Sequence, residues 1–439
     1  MTLPELALGP GSAAPAAGMW EIISGKFEGV SAGFTIRDSS GQKYFVKFDS
    51  EDWPEMATSA EAISSRIFHA AGYNVPKYSV ISFPKTRVYI GLGALIKDKD
   101  GEKRCMTVSD LDSIWTKIYF QPNGEARANI SEELPGDPIG PFGYHGRRVD
   151  DPNDRVMHEH RRELRGLRVI SSWINDTDRR PANSLDVFLP EGAPVGYIKH
   201  YLMDMGATLG SNSKKPHLPR YGKEYLWTYG NVIKKSLLLG FHSNPWEELI
   251  DVTYPTIGYF ESDMFSPGTW VPSYPNPAFQ WCTDRDGYWG AKIVTAFSDD
   301  DIEAIVETGG LTIAAAKAEL IRVLIERRNK IGQYWFARIN PLDKFNVVGN
   351  TLHFEDLAVT RGISAAGITR YRYRYLNARG QPVGDYFKTS AMRIPINNVN
   401  PYEGLEIQTE RGMWKKILRV YIHTDNAGVS KVVRIDREP

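Results

Sequence analysis

The hydrophobic period of this 439-residue chain changes near residue 346, and this change limits the folds that are open to it. Over residues 105–345, apolar residues recur mostly at three- and four-residue steps, which is the period of amphipathic helices. After residue 346, the segment TRYRYRYL alternates strictly, and GLEIQTE, KILRVYIH and KVVRID follow at spacings typical of a β-sandwich. The sequence therefore predicts a separate antiparallel β domain over residues 346–439.

Residues 20–104 are predicted to form a small β-rich region with one helix. GFTIRDSSGQKYFVKF reads as two strands around the turn Asp38–Gly41, and YNVPKYSVISF and TRVYIGLGALIK are two further strand-like runs. Between them, PEMATSAEAISSRIFHAAG has a helical period that ends at Gly72. Residues 1–19 are rich in Ala, Pro and Gly and are predicted to be a flexible N-terminal segment.

Charge and cysteine content exclude several classes of protein. The 53 Lys and Arg residues balance 53 Asp and Glu residues, which argues against a nucleic-acid-binding protein and against a polybasic membrane-surface protein. Cys105 and Cys282 are too few for a disulfide scaffold. No apolar run is long enough for a transmembrane helix, so no transmembrane segment is predicted.

The N-terminal segment leaves the compartment open. Residues 1–19 lack the basic and apolar regions of a signal peptide, so a cytoplasmic location is the default expectation. If Met1 instead follows a removed signal, the protein is exported or belongs to the cell envelope.

Five polar side chains follow one another in an order that suits phosphate and metal chemistry. Lys47 ends the strand KYFVK, and Glu61 lies near the apolar stripe of the next helix. Asp178 and Asn183 are five residues apart in DTDRRPANS, and Asp204 opens the segment DMG after an apolar strand. In phosphoryl transfer, one Asp accepts the proton of the attacking hydroxyl, while an Asn and a second Asp hold Mg²⁺. Each residue alone also has a structural interpretation, such as an edge-strand lysine or a turn cap.

A glycine-rich segment, GKFEGVSAGF, precedes the first hairpin. Gly25, Gly29 and Gly33, with Ser31 between them, are candidates for contacts to nucleotide phosphates, because glycine lets backbone N–H groups approach an anion closely. The alternative is that these glycines serve only the turn before a strand.

These motifs resemble those of the protein-kinase-like superfamily, nearer to its atypical HipA-like and phosphatidylinositol-kinase-like branches. DRRPAN at 178–183 is similar to the kinase catalytic-loop core Asp-x-x-x-x-Asn, and DMG at 204–206 resembles DFG. The resemblance covers about residues 20–340. It implies an α+β, two-lobed protein-kinase-like fold, with an N-lobe over residues 20–104, a mainly helical C-lobe over residues 105–345 and the β-sandwich as an addition.

The resemblance also implies roles for the polar residues. Lys47 would contact the phosphates of ATP and pair with Glu61, and Asp178 would be the catalytic base. Asn183 and Asp204 would bind Mg²⁺. The predicted function is therefore an ATP- and Mg²⁺-dependent phosphotransferase whose acceptor hydroxyl, on a protein or a small molecule, is unidentified.

The chain departs from ordinary protein kinases in three respects, which keep other functions open. Asp176-Thr177 stands where His-Arg precedes the catalytic Asp, the glycines are spaced by three residues, and no Ala-Pro-Glu follows DMG. Asp176 is thus a competing candidate for the base. The alternatives are a catalytically inactive kinase-like binding or scaffold protein and an AMP transferase that uses the same site.

Overall fold

The structure is a computed structural model, and helices and strands alternate along the chain. It describes residues 1–26, 31–98, 100–192, 195–226, 246, 252–377, 379–397, 401–411 and 414–437. The chain divides into two compact units. The first comprises Met1–Glu159, Ile170–Gln280 and Phe297–Arg327, and the second comprises His160–Val169, Trp281–Ala296 and Arg328–Pro439.

Nine α-helices and twenty strands occur among the described residues. The helices are α1 (Leu3–Leu8), α2 (Met56–Ala70), α3 (Val108–Trp115), α4 (Arg162–Trp173), α5 (Pro277–Gln280), α6 (Asp284–Val294), α7 (Asp299–Glu307), α8 (Ala314–Arg338) and α9 (Leu357–Thr360). The strands are β1 (Trp20–Gly25), β2 (Gly33–Arg37), β3 (Lys43–Phe48), β4 (Tyr78–Phe83), β5 (Val88–Lys97), β6 (Lys103–Cys105), β7 (Ala126–Glu132), β8 (Asp137–Gly140), β9 (Ser184–Pro190), β10 (Gly196–Leu202), β11 (Ser211–Asn212), β12 (Lys215–Pro216), β13 (Leu342–Val348), β14 (Thr351–Asp356), β15 (Arg370–Leu376), β16 (Pro382–Thr389), β17 (Arg393–Pro395), β18 (Tyr402–Arg411), β19 (Trp414–Thr424) and β20 (Ser430–Arg437).

A seven-stranded sheet in the order β4-β7-β3-β2-β1-β5-β6 organises the N-terminal part of the first unit. The predicted hairpin is β2 and β3, joined at a turn where Gly41 takes a φ of 89°. β7 lies between β3 and β4, so the sheet takes in chain beyond residue 104, the predicted end of the N-lobe. One face of the sheet packs a core that includes the edge-to-face rings of Phe34, Phe48 and Trp115.

Helix α2 is buried along almost its whole length. The apolar residues Ala60, Ile63 and Ile67 are buried as their spacing predicts, but so are polar residues on the other sides of the helix, including Glu61 and Ser65. A helix that is buried on all sides must have partners for its polar side chains, because an unpaired buried charge is costly. The charge of Glu61 therefore needs a cation nearby.

The N-terminal segment, predicted to be flexible, contains helix α1 and contacts the rest of the first unit. Thr2 and Glu5 form a capping box at the start of α1, which explains why a Pro-containing segment begins a helix there. Ala13 is buried, and the backbone N–H of Ala16 donates to Asp38 at 2.8 Å.

Beyond the large sheet, short strands and helices of the first unit form the surroundings of the DTDRRPANS and DMG segments. β8, β9 and β10 make a three-stranded antiparallel sheet, with β9 in the centre. β9 follows DRRPAN directly, and DMG follows β10. Ser298 and Asp301 form a capping box at the start of α7. None of the helices in the described ranges is long and apolar enough to cross a membrane.

The C-terminal part of the second unit contains two antiparallel sheets. They have the orders β13-β14-β17 and β16-β15-β18-β19-β20. Apolar residues of both sheets, among them Leu352, Tyr371, Ile394 and Leu418, form one buried cluster. The strict alternation of TRYRYRYL corresponds to β15. Two sheets around a shared core agree in part with the predicted β-sandwich.

Candidate functional site

Lys47, Glu61 and Asp204 meet in the first unit, although they lie far apart in sequence. The Lys47 Nζ donates to Glu61 Oε1 at 2.7 Å and to Asp204 Oδ1 at 3.0 Å. Lys47 comes from β3, Glu61 from α2 and Asp204 from the turn after β10. The structure therefore brings together three of the residues that the sequence singled out, and Lys47 is the cation that buried Glu61 needs.

The charges in this cluster depend on one another. The Lys47 ammonium is the main cause that lowers the pKa of the Asp204 carboxyl group to about 2. Burial by itself would lower the pKa of Lys47, but the charges of Asp204 and Glu61 outweigh burial and raise this pKa well above its ordinary value. Lys47 and Asp204 are thus both ionised at neutral pH. The Asp204 side chain remains 42% exposed, which leaves it accessible to a ligand.

Asp204 has a left-handed backbone conformation, which glycine adopts freely and which Asp and Asn adopt more often than other residues. Its φ is 52°, in the left-handed region, which costs a non-glycine residue about 1–2 kcal/mol. The neighbouring backbone holds the turn, since Met203 N donates to Asn183 O at 2.9 Å and Ser213 N donates to Gly206 O at 3.2 Å. Strain of this kind is concentrated at functional sites, where surrounding contacts maintain it.

Asn183 and Asp178 are joined directly by hydrogen bonds. The Asn183 Nδ2 donates to the Asp178 carbonyl oxygen at 2.6 Å and to Asp178 Oδ2 at 3.0 Å. Asn183 is buried in a short turn before β9, whereas Asp178 is partly exposed and pairs with Arg180 Nε at 2.8 Å. With its Nδ2 engaged in this way, Asn183 keeps its amide oxygen for a ligand.

Asp176, the competing candidate for the base, lies in a different environment. Its carboxylate is buried and accepts from Arg179 Nε at 2.7 Å. Arg179 Nη1 also donates to the carbonyl oxygens of Asn183 and Met203, at 2.7 and 2.9 Å. Arg179, held by Asp176, therefore joins the DRRPAN segment to the chain just before DMG, whereas the Asp178 carboxylate stays partly exposed.

The glycine-rich segment is described only in part, because Gly29 lies outside the described residues. Gly33 is paired with Lys47 across β2 and β3, and a Cβ atom at Gly33 would collide with the carbonyl oxygen of Val46. A Cβ atom at Gly25 would come within 2.9 Å of Ile96. Close packing against neighbouring chain thus explains both of these glycines. Ser31 lies at the edge of the cavity around Lys47.

Lys26 is a residue of this site that the sequence reasoning missed. Its Nζ donates to Ser31 Oγ at 2.8 Å and to the Ser31 carbonyl oxygen at 3.3 Å. Burial, followed by the nearby positive charge of Lys47, lowers the pKa of Lys26. The only signal was a lysine between two glycines in GKFEG, which is common in turns. Arg179 was missed as well, because an arginine beside two aspartates is usually exposed.

The donor atoms fit a magnesium ion that arrives with a phosphate ligand. Asn183 and Asp204 supply an amide and a carboxylate oxygen, and among the described residues only Lys47 donates to the Asp204 carboxylate. The described residues contain no group of three or more His, Cys, Asp or Glu side chains that could hold a metal by themselves. Mg²⁺ usually takes one or two protein ligands and completes its shell with water and substrate phosphates.

A large cavity opens on the same face of β3 as Lys47. It has a volume of about 930 Å³, and its lining includes Phe45, Leu185 and Met203. Phe45 lies two residues before Lys47 on β3, so both side chains are on one face of the strand. Leu185 lies two residues after Asn183, and Met203 directly precedes Asp204. The cavity is therefore next to the charged cluster and has room for a nucleoside.

Helix α2, which carries Glu61, is held at both ends. Near its start, the Glu55 carboxylate accepts from Thr312 N at 2.9 Å and from Thr312 Oγ1 at 2.7 Å. Near its end, Arg66 Nε donates to the Ala7 carbonyl oxygen of α1 at 2.9 Å. These contacts fix the helix, and with it the position of Glu61 against β3.

Comparison with known proteins adds only distant likenesses. No protein-family model and no curated protein sequence matches the chain. The solved structures that are similar to it include two of the Golgi casein kinase. One is described as the crystal structure of the golgi casein kinase, with 11% identity, 76% of each chain covered and a TM-score of 0.36. The other is the Golgi casein kinase with Mn/ADP bound, with 10% identity, 75% of each chain covered and a TM-score of 0.35.

Proposed function

We propose that this chain is an ATP- and Mg²⁺-dependent phosphotransferase with an atypical protein-kinase-like fold of the HipA-like or phosphatidylinositol-kinase-like type. The observation that carries the proposal is the position of Lys47 Nζ between Glu61 and Asp204. A lysine fixed by a helix glutamate, next to an aspartate that can take a metal, is the arrangement that protein kinases use for phosphoryl transfer. Asp178 and Asn183 lie in the same unit and complete it.

Each part of the nucleotide has a matching group in this proposal. Lys47 would bind phosphate oxygens, and Asn183 and Asp204 would hold Mg²⁺, which neutralises charge on the phosphates. The adenine base of ATP would lie in the 930 Å³ cavity beside Phe45 and Met203. Gly33 would bring the backbone of β2 over the phosphates, because its missing side chain lets β2 lie close to β3. Catalysis by such a site consists mainly of positioning and charge stabilisation.

Asp178 would take the proton of the acceptor. A bond forms between the acceptor oxygen and the γ-phosphorus, the bond from that phosphorus to the β,γ-bridging oxygen breaks, and ADP leaves. The hydroxyl proton goes to the Asp178 carboxylate. Arg180, its present partner, is 47% exposed, so it can move aside at little cost.

Calorimetric titration of ATP, with and without Mg²⁺, tests this function. We expect magnesium-dependent binding to wild type and its loss in Asp204→Ala. The matched control is Asp385→Ala, which removes an exposed carboxylate on β16 and should leave binding unchanged. A folded wild-type protein that binds no nucleotide would overturn the proposal and favour a binding or scaffold role. Mass analysis of the modified acceptor would separate phosphoryl transfer from AMP transfer.

A further inference from the structure

A second, smaller cleft in the first unit is lined by lysines. We call it the lysine cleft. It has a volume of about 280 Å³, and its polar lining includes Lys26, Lys117, Lys214, Ser31, Ser50 and Ser213. Such a volume suits one small molecule or one end of a larger one.

The lysine cleft adjoins the charged cluster. Ser31, Phe48 and Ser213 line the cleft and also line the space around Lys47, Glu61 and Asp204. Ser50 Oγ donates to the Lys214 carbonyl oxygen at 3.0 Å, which fixes the segment after DMG against the end of β3. One end of a molecule bound in the cleft therefore lies next to Lys47 and Asp204, the proposed phosphate and metal ligands.

The cleft is strongly positive. Asp49 is the one acidic residue among its described lining residues, and its carboxylate is buried and already bonded. Asp49 Oδ1 accepts from Ala57 N and Thr58 N, both at 2.9 Å, and Oδ2 accepts from Thr58 Oγ1 at 2.6 Å. By contrast, the ammonium groups of Lys117 and Lys214 have no acidic partner among the described residues. Three lysines thus line a space in which the one carboxylate of the described lining residues is already hydrogen-bonded to α2.

The rest of the lining is apolar. Phe48, Ile96 and Ile114 form much of it, and Phe48 and Ile114 belong to the core of the large sheet. Because this wall is part of a packed core, the cleft has a fixed shape. A ligand needs an anionic group for the lysines and a compact body that can lie against an apolar wall.

We propose that the lysine cleft binds a small molecule that carries a phosphate or carboxylate group. This assignment rests on the proposed function: the molecule is the acceptor of the phosphoryl group. Its acceptor hydroxyl lies at the end of the cleft formed by Ser31 and Ser213. Lys26 lies between the lysine cleft and the Lys47 cluster. Its Nζ donates to Ser31 Oγ, and its charge interacts with those of Asp204 and Glu61. The cleft therefore selects acceptors by their negative charge.

Titration of inorganic phosphate into protein saturated with Mg²⁺-ADP tests the cleft apart from the nucleotide site. We expect binding to wild type and at least a tenfold loss of affinity in the double variant Lys117→Met/Lys214→Met. The control, Lys215→Met/Lys388→Met, removes two exposed lysines outside the cleft and lowers the net charge equally. Ribose 5-phosphate should displace the phosphate, and ribose should not.

The two proposals fail in different ways. If the protein binds no nucleotide, but binds phosphate in a manner that needs Lys117 and Lys214, the cleft stands and the phosphotransferase proposal falls. If wild type binds no phosphate, or if both double variants lose binding equally, the cleft is not a specific site. Nucleotide affinity should change by less than about twofold in either double variant, because Lys117 and Lys214 do not contact the Lys47 cluster.

Discussion

Each of the two units holds a buried glutamate bonded to cations, but the two clusters differ in what they leave open. In the second unit, Glu406 has both carboxylate oxygens occupied: Arg374 Nε and the Tyr386 hydroxyl donate to Oε1 at 2.7 and 2.8 Å, and Arg419 donates to Oε2 at 3.0 Å. In the first unit, Lys47 joins Glu61 to Asp204, whose side chain is 42% exposed.

The comparison teaches that a buried ion pair is not in itself a sign of function. Arg374 and Arg419 lie directly across from Glu406 on β15 and β19, so this cluster is a ladder between neighbouring strands. The Lys47 cluster joins a strand, a helix and a turn with a left-handed residue, and it lies beside the lysine cleft and the 930 Å³ cavity. An accessible carboxylate and an adjoining space are what distinguish a candidate site from a structural cluster.

The largest expected effect is on activity in the first unit, and it tests which of two aspartates near the Lys47 cluster is the base. We expect Asp178→Asn to lower the turnover rate about 10²–10⁴-fold, because the acceptor loses its general base, while ATP affinity stays within a few fold. Steady-state kinetics and calorimetry measure the two quantities. Asp176→Asn is the companion variant, and its main defect should be in stability. A turnover rate that survives in Asp178→Asn and vanishes in Asp176→Asn without unfolding would exchange their roles.

The next effect concerns how closely β2 must lie against the strand that carries Lys47. Gly33→Ala should destabilise the protein by about 3 kcal/mol, because its methyl group would collide with the carbonyl oxygen of Val46. ATP binding should weaken too, because Gly33 is paired with Lys47. Gly367→Ala is the control, since a Cβ atom there meets nothing within 4 Å. Chemical denaturation compares the two, and equal stabilities would contradict the close packing described here.

The same isosteric change, glutamate to glutamine, can be made in each of the two clusters to compare them directly. Glu406→Gln should lower the free energy of unfolding by about 2 kcal/mol, because two arginines lose their carboxylate. Its ATP binding should remain that of wild type. Glu61→Gln should cost less stability, since Lys47 keeps Asp204 as a partner, but it should reduce ATP affinity and turnover. If both variants lost only stability, the contrast between the clusters would disappear.

The smallest effect is a pH dependence of stability. The pKa of Asp204 is lowered from its ordinary value of 3.8 to about 2, so its ionised form stabilises the folded state. This contribution is complete above about pH 4 and is lost as the pH falls through the folded pKa of about 2. In Asp204→Asn, the free energy of unfolding should therefore fall less steeply between pH 5 and pH 2. An unchanged slope in acid unfolding curves would show that Lys47 does not hold Asp204 in solution.

The sequence predicted the parts of the fold that depend on local pattern. Period-two alternation located β15, and the helical spacing with a glycine located α2. It also singled out Lys47, Glu61 and Asp204, because their order along the chain, and their places at the end of a strand, within a helix and after a strand, can be read directly. The structure then brings these three together.

What the sequence did not predict depends on contacts between distant segments. β7 enters the large sheet from beyond the predicted boundary, since a central strand can come from any later part of the chain. Arg179 and Lys26 are ordinary surface residue types, and only the fold buries Arg179 and places the half-buried Lys26 against Ser31. The sequence favoured Asp178 but left Asp176 as a competing base, and it is the bond to Arg179 that distinguishes the buried carboxylate of Asp176 from the accessible one of Asp178.

The attachment of helix α2 at both ends has a consequence for how such a protein could be controlled. Moving Glu61 away from Lys47 would require the Glu55–Thr312 contacts and the Arg66–Ala7 contact to break together. A helix held by hydrogen bonds at both ends is poorly suited to a regulatory movement. Control would then act on the entry of ligands into the two cavities and not on the distance between Lys47 and Glu61.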